Sequence, residues 1–102
     1  MSLNSVQRAQ TSCELHELRS LLPVSDADLV DRLGLSVMDL RDVLDVTGRV
    51  DPREVWRVRD TLVSVAEAHD IPVPRFTVLS EDRRSAAEGW FGSWTVPDVD
   101  DL

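Results

Sequence analysis

The chain has no lysine: all 11 of its basic residues are arginines, set against 19 acids, for a formal net charge of −8 and a pI near 4.5. That balance works against nonspecific attraction to nucleic acid or an anionic membrane surface, since both are themselves negative. Cysteine is nearly absent, and a lone Cys13 excludes a disulfide within one chain and agrees with a reducing compartment. No apolar run approaches the length that crosses a bilayer, and the N-terminus lacks the basic-then-apolar layout of a secretory signal. The expectation is a cytoplasmic protein with no membrane partner. With two histidines, no glycine-rich phosphate loop and no serine in a nucleophile turn, the sequence predicts no enzyme, no catalytic residue and no cofactor.

What is present is enough for one core. A chain of 102 residues that is 42% hydrophobic supports one compact domain and is too short for two, here set at residues 1–97 with an acidic tail, DVDDL, at 98–102. Its organising stretch is 25–46, SDADLVDRLGLSVMDLRDVLDV, which reads as a helix-turn-helix. Leu29 and Leu33 share a face of the first helix, Leu35 plugs the turn after Gly34, and Leu40, Val43 and Leu44 form the face of the second. Ser25 followed by Asp28, and Ser36 followed by Asp39, are start signals in which a serine caps orphan N–H groups and an acid sits on the positive helix end.

Before this stretch, residues 4–22 read as a helix whose apolar residues change face. Val6, Ala9 and Cys13 fall together, while Leu15, Leu18 and Leu22 lie nearly opposite at roughly 100° per residue. The Val6 face either wedges against the C-terminal segment or meets a second subunit, so Val6, Ala9 and Cys13 are candidate homodimer contacts. Pro23 ends the helix. After the loop TGRV, where Gly48 supplies a permissive backbone, Asp51-Pro52-Arg53-Glu54 combines an N-cap, a first-turn proline and a glutamate placed for a capping box. The long helix then runs over 51–69 with Val55, Val58, Leu62, Val65 and Ala66 as its buried stripe.

From Ile71 the character changes. Pro72 and Pro74 force an extended path, and Arg75-Phe76-Thr77-Val78-Leu79 reads as a short strand whose partner is either Trp94-Thr95-Val96 or a dimer mate. Residues 81–89 carry a weak helical turn or two. The tail after Pro97 is expected to be mobile. The fold class is therefore mainly α, with a helix-turn-helix core and a short C-terminal β and aromatic segment over 71–97.

Few residues invite chemistry. Cys13 and His16, three apart on a helix, have the spacing of two metal ligands, but a closed zinc site needs four and His69 is the only other strong one, so no metal is expected. Trp56, Trp90 and Trp94 either make a surface for a partner or fill the gap between the C-terminal segment and the long helix. If Ser36 to Leu44 is a recognition helix, its outward positions are Val37, Met38, Asp39, Arg41, Asp42 and Asp45. Arg41 suits a guanine edge, and Arg49, Arg53 and Arg57 are placed to hold backbone phosphate; these four are the candidate DNA-binding residues. The aspartates among them oppose it.

The opening MSLNSVQRAQT, the LVDRLGLS turn, the DP-x-x-VW-x-VRD-x-L run at Asp51 to Leu62 and the PxPRFTVL stretch ending at Leu79 occur in the order found in a known family. Over residues 1 to about 94 the chain resembles the small bacterial proteins grouped as domain-of-unknown-function family 2316, and it departs from their pattern between Glu81 and Trp90. The resemblance implies a helix-turn-helix-like fold and no established activity, and it carries over no site residues. Two functions follow as expectations: a DNA-associated bacterial transcriptional regulator, or an acidic protein-interaction module that keeps the fold without binding DNA.

Overall fold

In the computed structural model, which describes residues 4–102, five α-helices follow in order: α1 (Ser5–Leu21), α2 (Asp26–Leu33), α3 (Val37–Leu44), α4 (Pro52–Ala68) and, after a 3-10 turn at Glu81–Arg83, α5 (Arg84–Phe91). The helix starts follow the local chemistry. Asn4 accepts the Gln7 N–H at 2.8 Å while the Gln7 side chain accepts the Asn4 N–H at 3.0 Å, a capping box that fixes the start of α1. Ser25 caps α2 and Ser36 caps α3, where Asp39 returns the bond as expected. Asp51 caps α4 through the Arg53 N–H at 2.9 Å, but Glu54 turns to Arg57 at 2.7 Å instead of closing a box. Gly34 ends α2 in the left-handed region at φ 69°, which admits glycine without strain.

Leu15 and Leu18 of α1, Leu29 of α2, Leu40 of α3 and Val58, Leu62 and Val65 of α4 meet in one buried cluster. The helices pack chiefly as α1 on α4, α2 on α3, α3 on α4 and α5 on α4. The residues expected in the core are buried, with Leu35 partly so. The radius of gyration, 12.7 Å, matches the roughly 13 Å of a 100-residue domain.

The C-terminal third departs from expectation. Among the described residues there is no strand, so neither Arg75–Leu79 nor Trp94–Val96 forms the expected β element. Phe76, Val78 and Leu79 are buried and Thr77 exposed, so the segment docks by its side chains and not by a ladder. The Thr77 N–H, which a strand partner would have used, donates instead to the Glu14 carboxylate at 3.1 Å, and the Thr77 hydroxyl donates to the same group at 2.7 Å. Residues 81–89 carry the expected helical turns, a 3-10 turn and then α5, which runs on to Phe91. The tail is docked, not free: Val99 is buried, and Arg32 holds the Asp98 carbonyl at 2.8 Å and the Asp101 carboxylate at 2.6 and 2.7 Å. After α3 the left-handed residue is Val46, at φ 50°, and not Gly48.

Candidate functional site

Helix α3 presents the outward positions read from its sequence. Leu40, Val43 and Leu44 turn inward, so Val37 and Met38 stand 46% and 77% exposed, among exposed Asp39, Arg41, Asp42 and Asp45. An exposed methionine at the first turn of a capped helix gains nothing from folding, because its apolar area stays in water. Beside it lies a groove of about 350 Å³ between α1 and α3, lined by His16, Arg19, Ser20, Asp26, Val37 and Arg41 above Leu40 and Leu44. Its charges are mostly paired. Arg19 is bound to Asp26 at 2.7 and 2.9 Å and to the Val24 carbonyl, and His16 Nε2 lies 2.8 Å from Asp45 Oδ1. Ser12 donates to the Leu44 carbonyl at 2.8 Å and so ties the end of α3 to α1.

The four candidate DNA-binding arginines differ in setting and in pairing. Arg41 lines the α1–α3 groove, whereas Arg53 and Arg57 line a separate recess of about 180 Å³ together with Asp51 and Glu54. Arg57 is committed inside the chain: its guanidinium donates to Glu54 at 2.7 Å, to the Leu33 carbonyl at 2.8 Å and to the Thr95 carbonyl at 2.9 Å. Arg53 pairs with Asp51 at 3.2 Å, while Arg41 and Arg49 are exposed with no ion pair among the described residues. Of the candidate dimer contacts, Val6 is 76% exposed and Ala9 and Cys13 are exposed beside it, so the C-terminal segment does not cover that face.

Sequence reading missed a buried polar cluster that joins α4 to the C-terminal segment. Asp60 accepts from Arg59 at 2.7 Å, from both terminal nitrogens of Arg84 at 2.7 and 2.8 Å, and from the Trp94 indole at 2.8 Å. Glu81 accepts from Arg59 at 3.1 Å and from Arg84 at 2.8 and 2.9 Å. The guanidiniums also stack on rings: Arg59 lies 4.7 Å from the centre of Phe76 and Arg84 5.3 Å from that of Trp56, itself stacked on Trp94 at 5.4 Å. Burial pushes the Asp60 carboxyl up, but the hydrogen bonds from Arg84, Trp94 and Arg59 outweigh it and hold the group below the usual carboxylate range. The Arg84 hydrogen bonds bring Glu81 down to about 2. Four donors fall on the two Asp60 oxygens, so this carboxylate ties α4 to α5 and to the C-terminal segment. The sequence carries no local signal for it, since α4 also holds Arg53, Glu54, Arg57 and Glu67, among which Arg59 and Asp60 read as ordinary solvated charges.

Trp56 and Trp94 fill the gap between the long helix and the C-terminal segment, as one of the two readings has it, but Trp90 remains 68% exposed. No helix among the described residues is long and apolar enough to cross a membrane. Neither the curated proteins nor the solved structures include a match to this chain. The motifs that pointed to a family do find their model: it matches residues 1–92, and the chain belongs to the family described as uncharacterized protein conserved in bacteria (DUF2316).

Proposed function

We propose that this protein is a non-catalytic, acidic interaction module that docks a protein partner on the outward face of α3. The observation that supports this reading is the pairing of exposed Val37 and Met38 with Asp39, Asp42 and Asp45 on one short helix. Apolar anchors inside an acidic rim fit a partner helix with an apolar stripe and basic flanks, since complementary charge steers encounter and desolvated apolar side chains supply affinity. The DNA-regulator reading keeps the two short helices joined through Gly34, Leu35 and Ser36 as its support, together with exposed Arg41 and Arg49. It is weakened at Arg57, each of whose guanidinium nitrogens already donates inside the chain, and it must bring three aspartates toward phosphate.

A displayed library of helical peptides selected against the protein tests the reading. Enriched sequences should be basic and amphipathic, and Met38→Asp should abolish their binding while leaving the melting curve in place. Enrichment that survives Met38→Asp, or no enrichment together with saturable binding of duplex DNA at low salt, would overturn it.

A further inference from the structure

A cavity of about 110 Å³ lies where the loop after α3 meets α1, α4 and α5, and it shares no lining residue with the α1–α3 groove. Val46, Val50, Trp56 and Phe91 contribute to an apolar wall, and Arg8 is the one charged residue among the described lining. Two features of this lining serve nothing inside the chain. Arg8 is half-buried yet has no ion pair or side-chain hydrogen bond among the described residues. The Thr47 hydroxyl is buried with no hydrogen-bond partner, in a chain whose other buried side-chain polar atoms are satisfied among the described residues. Val46, at φ 50°, is accounted for, since it closes α3 in a left-handed helix cap in which the Thr47 N–H donates to the Asp42 carbonyl at 3.1 Å. Stranded polar groups beside an apolar hollow are features of ligand sites.

We propose that this cavity binds a small apolar monocarboxylic acid, with the carboxylate on Arg8 and the ring or short chain against Trp56 and Phe91. The cavity is smaller than the roughly 150 Å³ that encloses benzene, but it is open to solvent and not sealed, so a ring of benzoate size lies partly in its mouth with the carboxylate on Arg8. The charge is right as well, because a guanidinium binds carboxylate through two parallel N–H donors, whereas an amine would face a cation with no acceptor nearby.

The test uses the full chain, isotopically labelled and titrated with benzoate and with its neutral analogue benzyl alcohol, to about 20 mM. The amides of Thr47 and Val50 and the Trp56 indole N–H should shift saturably with benzoate, and benzyl alcohol should bind about tenfold more weakly. Arg8→Gln, a change on the outside of α1, should weaken benzoate about tenfold and leave benzyl alcohol unchanged. Val50→Phe, which fills the hollow, should remove both responses while the thermal melt stays cooperative. Absence of saturable shifts at these residues, equal binding of acid and alcohol, or benzoate binding indifferent to Arg8→Gln would each overturn the proposal.

Discussion

Asp60 and Leu40 show how differently single residues enter this fold. Replacing Asp60 with alanine strands two guanidiniums against aromatic rings, and because Glu81 still pairs with both, the expected cost is about 3 kcal/mol, at the low end for a broken buried pair, measurable by urea unfolding. Leu40 is 2% exposed, and Leu40→Asp buries an unpaired charge at a cost above about 4 kcal/mol; a cooperative melt unchanged by it would refute the core described above. The acids also set a pH dependence. Glu81 titrates near 2 in the fold against 4.5 as its ordinary value, and Asp60 lies below its own. Folded carboxyls with depressed pKa stabilise fully above the unfolded pKa, so stability should hold above about pH 4.5 and fall progressively toward pH 2. Glu81→Gln should flatten that decline in thermal melts across this window, although the side chain's exposure keeps the effect small. Leucine and valine positions were legible in the sequence because periodicity reports burial. Asp60 was not, because its burial depends on Arg84 and Trp94, which lie far along the chain and carry no local signature.

The helices are where local chemistry was easiest to read. Ser25, Ser36 and Asp51 each satisfy orphan N–H groups within three residues of themselves, so their effect is written in adjacent sequence. Ser36→Ala should cost about 1 kcal/mol by removing the bond to the Asp39 N–H, a loss visible as a lower melting temperature with an unchanged spectrum of helix. The C-terminal segment shows the limit of such reading. Arg75 to Leu79 has the composition and alternation of a strand, yet a strand needs a neighbour to take its backbone donors, and here Glu14, some sixty residues earlier, takes the Thr77 N–H. Burial raises the Glu14 carboxyl, and the Thr77 hydroxyl, Gln10 and the Thr77 and Val78 N–H groups lower it further than that, so it is held as an anion on this segment. Gln10, one turn back, is the only partner of Glu14 that adjacent sequence shows, and its main target, Thr77, lies far along the chain, which is why the pairing was not recognisable. The acidic tail was misread for the same reason: its solubility-like composition hides Val99, and its clamp, Arg32, lies on α2.

For the whole molecule, charge and exposed apolar area decide the function. Within a net charge of −8, Arg53 and Arg57 are paired inside the chain, Arg41 and Arg49 stay exposed without an ion pair among the described residues, and α3 keeps apolar side chains among acids. The exposed Val6, Ala9 and Cys13 stripe is the remaining support for self-association, since the unpaired strand that also argued for a dimer is not a strand. We propose a homodimer through that stripe. Sedimentation at micromolar concentration should then show a dimer that Val6→Glu converts to monomer, and a monomer mass for both proteins would end that reading. The central claim, that the outward face of α3 receives a protein and not DNA, is tested most directly by one labelled sample titrated in parallel with a basic amphipathic helical peptide and with duplex DNA at low salt. The account predicts saturable amide shifts at Val37, Met38 and Asp42 with the peptide and none with the duplex. Shifts at those residues with DNA, weakening as salt rises and lost in Arg41→Gln, would contradict it.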